Sequence, residues 1–203
     1  MDITHKASPF ISLSVFLLSL LNTIQIGAQL DSLRLDTMRQ QITLGHYANI
    51  HSILVQQFGE LKYEAYFDGY TADSLHDTRS AFKSITSLLA GIALDKGYLE
   101  SLDVPLLQFF PDFNPKDARK KAISLRLLLE MKGGFRVEEF YGLGPYLEDE
   151  MWEAEKWVKY SLEVPMKERP GLNFSYNSCE PLLLGAALSH AAGKSIMDFS
   201  KEY

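Results

Sequence analysis

Arg79-Ser80-Ala81-Phe82-Lys83-Ser84-Ile85-Thr86-Ser87-Leu88-Leu89-Ala90-Gly91-Ile92-Ala93-Leu94-Asp95-Lys96-Gly97 carries the longest apolar helical pattern beyond the first thirty residues. Ile85, Leu88, Leu89, Ile92 and Ala93 recur at helical spacing, and Lys96-Gly97 is a good C-terminal stop. The spacing predicts a helix that starts near Arg79 or Ser80 and ends at Gly97, apolar on most sides and therefore central and buried. Ser80 and Lys83 stand three residues apart at its start, on one face, so the amine can reach the hydroxyl. A free serine hydroxyl is a poor nucleophile and needs a base. A desolvated lysine can supply one, and the helix N-terminus favours a developing oxyanion. About one such Ser-x-x-Lys is expected by chance in a chain of this length, and the bland reading is a capping serine with a solvated lysine. A lysine one turn into so apolar a helix is expected to be buried, which favours the functional reading.

Outward from this helix, residues 49–70 change period. Ile50, Ser52, Leu54 and Gln56 alternate with His51, Ile53, Val55 and Gln57, and Gly59-Glu60 separates this run from residues 61–67, which predicts two strands and a tight turn. Residues 31–44 are mildly helical, and residues 71–78 form a loop. On the C-terminal side residues 99–110 are short and irregular, and residues 123–131 read as a helix before Gly133-Gly134. Residues 148–162 predict one amphipathic helix, with Glu155 and Lys159 paired and Trp152 and Trp157 near its inner face. Its start, Glu148-Asp149-Glu150, reads as a solvated helix N-terminus. Pro170-Gly171 is a turn, and residues 181–192 form an apolar helix ended by Gly193. No internal repeat or linker appears.

The 203 residues are 46% hydrophobic, enough to bury a core in one domain. Lys and Arg number 20 against 26 Asp and Glu, a net charge of −6, which argues against a nucleic-acid partner held by phosphate neutralisation. The one cysteine, Cys179, excludes an intramolecular disulfide and any Cys-x-x-Cys motif. At the N-terminus Lys6 precedes an apolar run over residues 10–21, and Ile26-Gly27-Ala28 supplies a small-residue cleavage site. Residues 1–28 therefore read as a signal peptide, with Gln29 the first mature residue and a periplasmic or secreted product. The run is too short to span a bilayer, and no cysteine follows the cleavage site, so no stable membrane anchor is expected after cleavage.

Tyr176-Asn177-Ser178 lies between the Pro170-Gly171 turn and the last apolar helix. A loop tyrosine beside an ammonium can act as a general base, and a small polar residue two places on can hydrogen-bond the lysine or the substrate. Tyr47-Ala48-Asn49 has a similar form but precedes the serine and leads into a strand, so it is rejected. Taken with the Ser80 segment, with Phe109-Phe110-Pro111, with Ile123-Ser124-Leu125-Arg126-Leu127-Leu128-Leu129 and with Pro170-Gly171, this order of motifs resembles the beta-lactamase-related serine hydrolases, which include class C beta-lactamases, penicillin-binding DD-peptidases and esterases. The resemblance runs from about His51 to the C-terminus. It implies an α/β (α+β) fold, a largely antiparallel sheet flanked by helices, in a domain of residues 29–203. It also implies hydrolysis of an amide or ester through an acyl-enzyme on Ser80, with Lys83 its activating partner, Tyr176 the general base and Ser178 in support.

Three departures stand out against that resemblance. Lys132-Gly133-Gly134 replaces the usual Thr-Ser-Gly or His-Ser-Gly, and Cys179-Glu180 follows where a glycine is common. The family's third motif, Lys-Thr-Gly or His-x-Gly on a late strand, does not occur before Tyr203. The resemblance thus implies the N-terminal portion of such a hydrolase, inactive as given, and the alternative is an inactive binding protein or a fragment.

The remaining candidates are weaker. Cys179 with His190 as a nucleophilic pair is outweighed by a buried small hydrophobe. His46 and His51 are five apart with no third ligand, so no metal is expected, and no cofactor is needed. Gly193-Lys194-Ser195 is not a phosphate loop, since Leu188 stands where its first glycine belongs. Asn173-Phe174-Ser175 is a formal glycosylation sequon of little weight beside the proposed site. The expected partner is a small-molecule or peptide substrate, not nucleic acid.

Overall fold

The computed structural model describes residues 32–137, 139 and 147–203. The segment read as a signal peptide, residues 1–28, lies outside the described residues. The chain divides into two compact units between His76 and Asp77.

In the first unit, helix α1 (Ser32–Thr43) occupies the mildly helical stretch. Strands β1 (Ser52–Gln57) and β2 (Glu60–Tyr66) pair antiparallel, Ser52 opposite Tyr66 and Gln57 opposite Glu60, with a register slip between Val55 and Gln56. Phe58 and Gly59 take φ of 54° and 80° at the turn. Positive φ at both central residues matches the right-handed twist of the strands, so Glu60, expected in the turn, already belongs to β2. A small core of Ile42, Ala65 and Phe67 gathers Met38, Ile50, Ile53 and Tyr63.

The second unit is built around helix α6 (Cys179–Ala192), which packs against α2 (Phe82–Asp95), α3 (Leu125–Leu129), α5 (Trp157–Glu163) and α7 (Ile196–Glu202). Leu183, Leu184, Ala187 and Leu188 are buried along it, and Gly193 ends it in the left-handed conformation. The central buried helix is therefore α6, not α2. On α2 the buried residues are Thr86, Leu89, Ala90 and Ala93, whereas Phe82, Ile85 and Leu88 are 48%, 43% and 62% exposed. A helix repeats every 3.6 residues, so packing on one neighbour buries a single stripe however apolar the sequence is elsewhere.

Helix α3 is capped by Ser124, whose Oγ accepts from the Leu127 N–H at 3.3 Å. The single helix expected over residues 148–162 is two, α4 (Leu147–Glu153) and α5. Ser161 Oγ reaches Met151 Sδ at 3.6 Å, a contact that one straight helix would stretch to about 15 Å. The chain turns back at residues 154–156, so Glu155 has left the helix and Lys159 faces Glu163 at 4.0 Å instead. Trp152 and Trp157 are not on an inner face. They pack edge to face with centroids 4.7 Å apart, and both are exposed.

Candidate active site

Ser80 sits in a single 3-10 turn (Arg79–Ala81) that leads directly into α2. Arg79 before it takes φ of 47°, a conformation uncommon outside glycine. Asp77 holds it there, accepting from the Arg79 N–H at 2.9 Å and pairing with its Nε at 2.8 Å. Ser80 is exposed. Lys83, one turn on, is half-buried and not enclosed as expected, because the neighbouring face of α2 is open.

Lys83 brings the two sequence motifs together. Its Nζ donates to Ser80 Oγ at 3.3 Å and to Ser178 Oγ at 3.2 Å, across 95 residues of chain. The same Nζ lies 4.9 Å from the centroid of the Tyr176 ring. An ammonium has three N–H donors, enough for both hydroxyls with one left toward the ring. Tyr47-Ala48-Asn49, by contrast, belongs to the first unit.

Two carboxylates that spacing does not single out complete the surroundings of Ser178. Glu139 accepts from the Ser178 N–H at 2.7 Å and from its Oγ at 3.2 Å, and Glu148 accepts from the same Oγ at 3.2 Å. The hydroxyl has one proton, so it serves one carboxylate at a time while accepting from Lys83. Burial raises the Glu139 carboxyl above its ordinary range. The bonds from Ser178 and the charge of Lys83 oppose that shift, and the charge of Glu148 adds to it. Glu148 is thus a site neighbour as well as part of an acidic helix start.

Behind these residues Asn177 and Glu180 are fully buried. Asn177 Nδ2 donates to Ser175 O at 2.8 Å and Glu180 Oε1 at 2.9 Å, and its Oδ1 accepts from the Glu180 N–H at 2.8 Å. Glu180 Oε2 accepts from the Gly133 N–H at 3.1 Å. Burial pushes the Glu180 carboxyl up to about 7 despite these bonds. Two of the sequence departures, Gly133 and Glu180, therefore meet.

The alternative nucleophile is inert. Cys179 is buried, its thiol pushed up to about 11 chiefly by burial, and eleven residues along α6 His190 packs edge to face on Phe110. Asn173 Nδ2 donates to Glu168 on the exposed side of the loop at 2.7 Å.

The Beta-lactamase family model matches residues 51–203. A probable fimbrial assembly protein of Dichelobacter nodosus, FimD of serogroup H1, is 30% identical over 124 residues, which are 61% of this chain and 31% of that protein. The crystal structure of a putative beta-lactamase from Bacteroides dorei aligns at a TM-score of 0.62 and 22% identity, covering 86% of this chain and 50% of the other. An octameric penicillin-binding protein homologue from Pyrococcus abyssi aligns at 0.61 and 22% identity, covering 85% and 42%. These structures share the fold. The chain spans about a third of that curated relative and half or less of the two solved chains.

Proposed function

This chain belongs to the beta-lactamase family, and on that premise we propose that it is a serine hydrolase that cleaves an amide or ester bond through an acyl-enzyme on Ser80. The observation that carries the reading is the lysine bridge, with Lys83 Nζ within 3.3 Å of Ser80 Oγ and 3.2 Å of Ser178 Oγ and over the Tyr176 ring. Ser80 Oγ attacks the substrate carbonyl as its proton passes to Tyr176, the general base, and the charge of Lys83 offsets the negative charge that moves through the site. The N-terminus of α2 favours the oxyanion that forms on the substrate, and the departing amine or alcohol takes its proton back from Tyr176. Water then repeats the sequence on the acyl-Ser80. Ser178 holds Lys83 in place from the opposite side, and no cofactor enters.

The substrate is a small molecule or peptide met outside the cytoplasm, after removal of residues 1–28. N-terminal sequencing of the exported protein should begin at or near Gln29, and retention of Met1 in a cytoplasmic product would contradict export. A fluorophosphonate probe, which bonds to an activated serine and releases fluoride, tests the hydrolase reading by marking Ser80.

A further inference from the structure

Three rungs tie the turn after α3 to the segment that carries the tyrosine. The Gly171 N–H donates to Lys132 O at 2.8 Å and the Ser175 N–H to Met131 O at 2.9 Å. The third rung is Glu180, whose carboxylate spans from the Gly133 N–H to the side chain of Asn177. A Cβ on residue 133 would stand 3.0 Å from Glu180 Cδ and Oε1 and 2.9 Å from the Phe135 ring. Phe135 is itself buried, real Cβ atoms essentially never come within 2.9 Å of a neighbour, and contacts at 3.0 Å are unusually tight, so the carboxylate packs here against a residue 133 that has no side chain.

We infer that Glu180 is a positioning residue for the hydrolytic site, its buried carboxylate clasped between Gly133 and Asn177 so as to hold Tyr176 and Ser178 in register with Lys83. The inference rests on the proposed roles of Ser80, Lys83, Tyr176 and Ser178. Asn177 lies between Tyr176 and Ser178 in the chain, so the bond that fixes its side chain fixes the main chain on either side of it. The clasp needs the ionised form. A carboxylate accepts from both N–H donors, whereas a protonated carboxyl turns one oxygen into a donor facing a donor. Two other titratable groups stand near: Cys179, which feels the charges of Glu180 and Glu139 and remains a thiol through the neutral range, and Glu139, itself raised by burial and bonded to Ser178. With the Glu180 carboxyl pushed to about 7, acylation of Ser80 should climb as pH rises through that region.

The test compares the full protein with Glu180→Gln, Glu180→Ala, Gly133→Ala and the Gly133→Ala/Glu180→Ala double variant. For each, the second-order rate of fluorophosphonate labelling at Ser80 is measured from pH 5 to 9, with hydrogen exchange of the Gly133 and Glu180 amides alongside. Glu180→Gln should slow labelling about tenfold at pH 8, flatten the rise through neutrality and speed exchange at both amides, because its NH₂ meets a donor. Gly133→Ala should do the same, and the double variant should lose less than the two single losses combined, since removing the carboxylate relieves the contacts at 3.0 Å while the one with Phe135 at 2.9 Å remains. Glu180→Gln, which keeps the size of the side chain, keeps the test alive where an alanine variant fails to fold. A wild-type rate and pH profile in Glu180→Gln, or strictly additive losses in the double variant, would overturn the clasp. Faster exchange at these amides in a protein whose Ser80 is never labelled would uphold the clasp's geometry and overturn the hydrolase reading beneath it.

Discussion

Ser80 stands exposed on one 3-10 turn, reached by Lys83 at 3.3 Å, while across the site Asn177 and Glu180 are sealed from solvent, with bonds of 2.8 to 3.1 Å on every polar side-chain atom. The hydroxyl proposed to meet substrate is open and lightly held, and the loop across from it is buried and heavily held. The difference fits the proposed chemistry. A nucleophile must be approached from outside, whereas the partners of its proton act only if their positions are fixed before substrate arrives. Lys83, half-buried between the two, is bonded to Ser80 on one side and Ser178 on the other, and disturbing it should be felt most.

Replacing Lys83 by Ala or Tyr176 by Phe should each lower the rate of Ser80 acylation by about 10²- to 10⁴-fold. The double variant should be little worse than either alone, because groups that act as one unit lose their function together. Strictly additive losses in stopped-flow acylation would detach the buried loop from the chemistry and leave Tyr176 a packing residue.

The buried half should also announce itself in stability. The Glu180 carboxyl is raised in the folded chain to about 7 from an ordinary 4.5, so the fold binds this proton more tightly than the unfolded chain does. Its contribution is fully present below the unfolded value and is lost as pH rises through about 7, roughly 3 kcal/mol in all. Glu139, raised in the same direction, acts with the same sign. Urea titrations should therefore find stability falling between pH 5 and 8, and the fall should shrink markedly in Glu180→Gln. A profile that rises over this range would contradict the burial of Glu180.

The smallest effect belongs to the open face of α2. Leu88→Ala should change stability by less than about 0.5 kcal/mol, while Leu183→Ala on α6 should cost about 2–5 kcal/mol, as measured by denaturant midpoint. Equal losses would mean that the outer face of α2 is covered.

Local chemistry made half of this site legible. Ser80 and Lys83 lie three residues apart in a helical pattern, and Tyr176-Asn177-Ser178 sits between a Pro-Gly turn and an apolar helix, so both are readable without a fold. Glu139 and Glu180 are different. Glu180 bonds Asn177 locally, but its bond to Gly133 and those of Glu139 to Ser178 form only when segments 47 and 39 residues apart come together, and no periodicity encodes that. Hydrophobic pattern also misleads where it is saturated. The Ser80 segment is apolar enough to suggest burial all round, yet one stripe of α2 is buried, and the pattern over residues 148–162 does not encode the fold-back that brings Ser161 to Met151. Helix α7 was within reach of the sequence. Ser195 accepts from the Asp198 N–H at 3.0 Å, a Ser-x-x-Asp capping pattern that starts two residues after the glycine that ends α6.

Whether Ser80, answered by Lys83, Tyr176 and Ser178, is an acylated nucleophile is decided by site-mapped mass spectrometry after fluorophosphonate treatment of the full protein. One adduct is expected, on the peptide carrying Ser80. That adduct should be absent from Ser80→Ala, whose fold should persist because a helix-start hydroxyl contributes only about 1 kcal/mol. Equal labelling of Ser80→Ala and wild type, or an adduct on another residue, would contradict the assignment of Ser80 as nucleophile.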